Sequence, residues 1–232
     1  TDRAEALIAL AGLVATSRAD FGVRFDPAGE RLSLIDETGR IIPDHRAALI
    51  VADLMAARHS GTVALPITTT RVAEQVLDYH HGKVLWTPPG EAGLSAQVAA
   101  ADVMLAADGE GGFILPAVGR HLDPFATFVQ LIELVASTRL TLSAIDARIP
   151  RSDVVTPWAA KAAVMRSVRE QADGRLTDGL GGIRIEYGPR DWVLVTADPT
   201  EAVTHVWAEG SDAAAADELL HRWTDRLHAD SG

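Results

Sequence analysis

Thr62-Val63-Ala64-Leu65-Pro66-Ile67 is a short run of mostly apolar residues without the alternation of a strand that has one wet face, so it reads as a strand buried on both sides. A helix over Thr70 to Tyr79 follows, then a strand from Lys83 to Trp86 and a break at Thr87-Pro88-Pro89-Gly90. Another helix, a strand from Val103 to Ala106 and a glycine-rich turn come next. Asp123-Pro124 supplies an N-cap and first-turn proline, with Phe125, Phe128, Val129, Ile132 and Val135 as the apolar stripe behind it. Strand and helix in strict alternation predict an α/β fold with a mostly parallel sheet covered by helices.

Upstream of this core, Asp2 opens a helix whose Leu7, Leu10, Ala11 and Val14 share one face. Phe21 to Phe25 and Leu32 to Ile35 read as paired strands around the Pro27-Ala28-Gly29 turn, and Arg46 to Arg58 reads as a helix. Downstream, Ile149-Pro150-Arg151 marks a boundary. The spacing beyond it predicts a helix over Trp158 to Gln171, strands over Ile183–Tyr187, Trp192–Thr196 and Val203–Glu209, and a helix from Ser211-Asp212 to Leu227. That order predicts an α+β domain with an antiparallel sheet and two helices.

Composition narrows the function. A net charge of −11 over 232 residues excludes the concentrated basic face that nucleic acid requires. The absence of cysteine excludes disulfides, thiolate catalysis and cysteine-bound zinc. Ala6 to Ala15, the longest early apolar stretch, is short of the roughly 20 residues of a membrane span and has acids before it instead of a basic region. The cytoplasm is the expected compartment, with no membrane partner. A first residue of Thr1 and an opening helix with no strand before it suggest a piece of a longer protein.

Three places carry candidate chemistry. His80 and His81 are adjacent, so their side chains diverge and read as a solvated helix end, not a metal pair. Asp108-Gly109-Glu110-Gly111-Gly112-Phe113 sets two carboxylates on a loop after a buried strand, where α/β sheets bind ligands; a tight turn needing glycine is the competing reading. In Asp26-Pro27-Ala28-Gly29-Glu30-Arg31, acids at alternate positions would converge on a hard cation, but Ala28 holds the middle position and a surface hairpin is favoured.

The stretch from Phe25 through Asp26-Pro27-Ala28-Gly29-Glu30-Arg31 to Gly39-Arg40 and Pro43 resembles the metal-loop segment of the α-D-phosphohexomutases, the phosphomannomutase/phosphoglucomutase family, which reads Asp-Gly-Asp-Ala-Asp-Arg. Asp108 to Pro116 resembles that family's sugar-recognition loop, Gly-Glu-x-Ser-Gly-His followed by Phe-x-x-Pro. Trp192 to Val195 with Pro199-Thr200-Glu201 resembles its last-domain strand and phosphate loop, Arg-Pro-Ser-Gly-Thr-Glu-Pro. The resemblance implies that residues 1–59 are the latter part of domain II, 60–149 domain III and 150–232 domain IV.

Set against that pattern, functional positions are altered. Asp26 and Glu30 stand at metal-loop acids while Ala28 replaces the middle one. Asp108, Glu110 and Gly112 stand where the sugar loop has glutamate, serine and histidine, and Pro88 takes an expected lysine's place. Thr196 and Asp198 replace arginine and serine of the phosphate loop, whose Thr200 and Glu201 survive. A carboxylate about 4 Å from a phosphate charge costs on the order of 4 kcal/mol at an effective dielectric near 20. The family's phosphoserine domain has no counterpart here.

The expectation is therefore a non-catalytic module with no catalytic residue of its own. Its closest resemblance is to the degenerate mutase-like region behind bacterial mannose-1-phosphate guanylyltransferases, proteins of sugar-nucleotide synthesis. Its partners would be upstream nucleotidyltransferase and β-helix domains of the same protein, a second copy in a homo-oligomer, and a small sugar or sugar phosphate. No cofactor is expected. The alternatives are the later domains of an active phosphomannomutase/phosphoglucomutase, with Mg²⁺, or a binder of neutral sugar through Asp108 and Glu110.

Overall fold

The computed structural model describes residues 2–151, 153–154, 158–161, 165–179, 181–197 and 203–229. The chain forms two compact units, one of residues 1–66 with 73–150 and the other of 67–72 with 151–232. The first unit thus takes in the expected segment 1–59 and most of 60–149, with residues 67–72 assigned to the second unit.

The first unit opens with α1 (Arg3–Ser17), β1 (Phe21–Phe25), β2 (Leu32–Asp36), β3 (Ile41–Ile42) and α2 (Asp44–Arg58). The three strands form an antiparallel sheet in the order β1-β2-β3. Every residue of β2 is buried. Alternation sends Ile35 towards Leu7 and Val14 of α1, on the side where Arg3 donates to Ser33 Oγ. Asp2 stands at the N-cap position without a side-chain hydrogen bond; its carbonyl accepts from Ala6 N instead.

The same unit continues through β4 (Thr62–Pro66), α3 (Val72–Tyr79), β5 (Lys83–Thr87), α4 (Glu91–Ala100), β6 (Leu105–Ala107), β7 (Phe113–Ile114), α5 (Pro124–Thr138) and α6 (Leu142–Arg148). Its sheet order is β5-β4-β6-β7, parallel except for β7. Ala64, Ala106 and Ile114 meet Leu94 and Val98 of α4 in the core. The stripe expected to bury α5 is corrected: Thr127, Leu131, Leu134 and Val135 are buried, while Phe125, Val129 and Ile132 are exposed. The helix is apolar on more than one face, so periodicity alone does not choose the inner one.

The second unit holds β8 (Asp153–Val154), β9 (Trp158–Lys161), α7 (Met165–Gln171), β10 (Arg175–Gly179), β11 (Gly182–Glu186), β12 (Trp192–Ala197), β13 (Val203–Gly210) and α8 (Ala213–Ala229). Its sheet is antiparallel in the order β10-β11-β12-β13-β8, with β9 also on β13. The helix expected over Trp158–Gln171 is corrected. Trp158 to Lys161 pair as a strand with Val206 to Val203, and the helix starts only at Met165. Alanine-rich sequence favours helix locally, but an open sheet edge pays more for strand. Leu219, Trp223 and Leu227 of α8 cover Ile183, Ile185, Val193, Val195, Val206 and Ala208. Both units together give the mixed α/β and antiparallel α+β architecture expected. No single helix among the described residues is long and apolar enough to cross a membrane.

One ion-pair network ties the ends of the first unit together. Arg40 donates to Asp36 at 2.9 Å and to Asp146 at 2.7 Å, and Arg46 donates to Asp146 at 2.6 Å and to the Pro150 carbonyl at 3.0 Å. Burial pushes the Asp146 carboxyl up, but both guanidiniums outweigh it; for Asp36, burial is outweighed by Thr38 and Arg40. Both carboxyls therefore lie below their ordinary value of 3.8. Their depressed pKa values stabilise the fold above that ordinary value, and the contribution is lost as pH falls through the folded-state values. Because Asp146 is 3% exposed, Asp146→Ala takes the carboxylate partner from Arg46 while Arg40 keeps Asp36, and is expected to cost about 3 kcal/mol in urea unfolding at neutral pH. The wild-type-to-variant difference should shrink as the pH is lowered below about 4.

Candidate functional site

Two hairpin loops of the first unit carry the acids of interest, and each is built around an aspartate that folds its own turn. Between β1 and β2, Asp26 N donates to the Arg31 carbonyl at 2.9 Å. Its Oδ1 accepts from Glu30 N at 2.8 Å and Arg31 N at 2.9 Å. Burial works against the ionised form, but these amides and that of Gly29, with the Arg31 charge, hold Asp26 below the ordinary carboxylate value. Between β6 and β7, Asp108 N donates to the Gly112 carbonyl at 3.0 Å, and Asp108 Oδ1 accepts from Glu110 N at 2.7 Å and Gly112 N at 2.8 Å.

The loops meet edge to edge. Leu32 N donates to the Gly111 carbonyl at 2.9 Å, and Arg31 bridges to Gly112 as an isolated antiparallel pair. Arg31 Nε and Nη2 both lie 3.2 Å from Asp108 Oδ2, and Nη2 lies 3.8 Å from a carboxylate oxygen of Glu110. Burial lowers the Arg31 pKa, but Asp108 and Glu110 outweigh it and raise it. Asp108 is thus satisfied on both oxygens, whereas the Glu110 side chain is 71% exposed. Phe25 stacks on Phe125 at 4.3 Å, which fixes the start of α5 beside the first loop. Clefts of about 620 and 680 Å³ elsewhere in this unit are lined by none of the predicted site residues.

Asp26 and Glu30 lie on one loop and Asp108, Glu110 and Gly112 on another, as expected from the sequence, and the fold brings the two loops together. Arg31 stands out in the sequence only as a neighbour of Asp26; the Arg31–Asp108 pair spans 77 residues and leaves no local signal. Thr196 lies buried on β12 opposite His205 in the second unit. Asp198, Thr200 and Glu201 lie outside the described residues. Arg190 donates to the Arg151 carbonyl at 3.3 Å. His80 Nε2 lies 2.7 Å from an Asp53 carboxylate oxygen, a side-chain partner in place of the solvated end expected.

The family described as phosphoglucomutase/phosphomannomutase, alpha/beta/alpha domain III, matches residues 42–152. Residues 42–152 are thus similar to domain III of the phosphohexomutases. The chain is 28% identical over 87% of its length to a protein of Methanocella arvoryzae named "Probable phosphoglucosamine mutase", covering 46% of that protein. It is 24% identical over 80% of its length to the phosphomannomutase/phosphoglucomutase of Pseudomonas putida, covering 42% of it. The chain therefore spans about half the length of the curated relatives it matches. The crystal structure of a phosphoglucomutase/phosphomannomutase family protein from Burkholderia thailandensis matches 97% of the chain and 50% of that protein, with a TM-score of 0.84 and 22% identity. An N-acetylphosphoglucosamine mutase of Aspergillus fumigatus, solved with GlcNAc-6P and magnesium, matches 94% of the chain and 52% of that protein at a TM-score of 0.64 and 16% identity.

Magnesium does not fit the residues of the phosphohexomutase-like loop here. Asp26 Oδ1 already accepts from two amides, Ala28 offers no donor, and Glu30 is exposed. Among the described residues no three of His, Asp or Glu are grouped to hold a metal. At Gly112, the sugar loop's histidine position, a Cβ would lie 2.4 Å from Asp108 Oδ2, so a side chain there would displace that carboxylate.

Gly111 has φ +95°, and a Cβ on it would sit 2.4 Å from the Leu32 carbonyl oxygen, at the seam itself. Gly111→Ala is expected to cost about 2 kcal/mol or more. Gly12→Ala, mid-helix with nothing within 4 Å, is expected instead to gain about 0.5–1 kcal/mol. Urea melts of the two variants check the contrast.

Proposed function

We propose that this chain is the later part of a phosphohexomutase-type protein whose ligand is a hexose or hexosamine phosphate. The observation that carries the reading is the seam itself. Loops resembling a metal loop and a sugar-recognition loop occur in the family's order, and Arg31 and Asp108 join them at one surface. Relatives named phosphoglucosamine mutase and phosphomannomutase/phosphoglucomutase support turnover of such a ligand by the whole protein. In this reading residues 1–59, 60–149 and 150–232 serve as the end of domain II, domain III and domain IV. The protein works in the cytoplasm, where phosphorylated sugars are made. Glu110 and the outer edge of Arg31 are the groups left to meet a ligand at the seam.

A second reading is favoured by particular residues. Ala28 and Gly112 remove functional groups from two positions, and the loop does not suit magnesium. A module altered in this way would bind or scaffold without turnover, attached to a mannose-1-phosphate guanylyltransferase-type domain and its β-helix, as a homo-oligomer.

Phosphorus NMR on the full-length natural protein separates the two. The expected outcome is micromolar binding of the 6-phosphate or 1-phosphate of glucosamine, mannose or glucose, and their interconversion with glucose 1,6-bisphosphate present would mark the first reading. Micromolar binding of these phosphates without interconversion would move the assignment to the second reading. Neither turnover nor binding would overturn the proposal.

A further inference from the structure

We infer that the Asp26 loop is organised without a divalent metal, Asp26 having become an acceptor for the chain's own amides and Arg31 a clamp onto the facing loop. The inference rests on reading residues 26–31 as the counterpart of the family's metal loop.

The donor count is the first ground. Mg²⁺ demands hard oxygen donors in a near-octahedral set. Acids at alternate loop positions would converge on it, but Ala28 supplies no oxygen and Glu30 points into solvent. Asp26 is the second ground. Ligation through Oδ1 would strip the Glu30 and Arg31 amides, at 2.8 and 2.9 Å, of the acceptor that closes the turn. The third ground is that the loop lacks nothing a metal would provide. The Asp26 N to Arg31 carbonyl bond closes the hairpin, and Leu32 N with the Arg31 guanidinium fastens it to the 108–112 loop. Since the family loop also ends in arginine, the difference lies in Ala28 and Glu30, not in Arg31.

The test is metal binding by the full chain, followed by thermal melting and by Mn²⁺ electron paramagnetic resonance, with EDTA-treated protein as reference. Wild type is expected to melt within about 1 °C of the reference at about 10 mM Mg²⁺ and to leave Mn²⁺ free. The double variant Ala28→Asp with Glu30→Asp restores acids at alternate positions. It is expected to gain a saturable, metal-dependent rise in melting temperature and an immobilised Mn²⁺ signal. Should the double variant not fold, Ala28→Asp alone serves.

Sub-millimolar metal binding by wild type, lost in Asp26→Asn, would overturn the inference. So would a folded acid-restored variant that stays silent, because the missing acids would then not be the cause. These readouts do not depend on catalysis. Lack of turnover with no metal bound strikes at mutase activity alone, whereas metal bound by wild type strikes at this inference alone.

Discussion

The contact between Arg31 and Asp108 is the constraint around which the first unit is arranged. Two sheets of different pattern, one antiparallel and one mainly parallel, end in hairpins whose tips would otherwise be free. A guanidinium shared by Asp108 and Glu110, beside a main-chain bond from Leu32 to Gly111, turns two hairpin tips into one seam. Glycine at 111 and 112 follows from that closeness, since a Cβ at either would fall 2.4 Å from an oxygen already in place. The seam thus dictates residue choice on both loops, and it consumes the carboxylate that the sugar-loop comparison would offer to a ligand.

A second layer of ion pairing holds the frame behind the seam. Asp36 and Asp146 are buried acids, each satisfied by arginine and by nearby donors, and they lock the β2–β3 turn to α6. Ser143 donates to Glu37 beside them and strengthens the same junction. A buried carboxylate with full partners specifies geometry more than it adds stability, since desolvation takes back much of the attraction. In the second unit a comparable cluster links Asp173, Tyr187, Trp223 and Arg226, where hydrogen bonds from Arg226 and Tyr187 hold Asp173 far below the usual carboxylate range.

Much of the framework was legible because its signals are local. The run from Thr62, the glycine and proline breaks, and the Asp123-Pro124 start report backbone preferences that the fold keeps. Legibility failed where a distant partner settles the outcome. Trp158 to Lys161 are a strand because β13 offers an edge, and β10 is a strand because β11 pairs with it. At the candidate site the acids were visible as residues on turns after strands. Their roles were not visible, since whether an aspartate faces a ligand or folds its own loop depends on which amides surround it. Arg31 and Asp108 are 77 residues apart, and Arg40 and Asp146 are 106 apart, so neither pair leaves a mark in a local window.

The measurement closest to the central claim is a double-mutant cycle in urea on Arg31→Gln and Asp108→Asn, at low and high salt. Arg31 is 37% exposed, so screening reduces what the pair contributes. The account predicts a coupling free energy of about 1 kcal/mol that falls only partly with salt, because Asp108 is shielded. Strictly additive effects of the two substitutions, with no coupling at either salt, would contradict it.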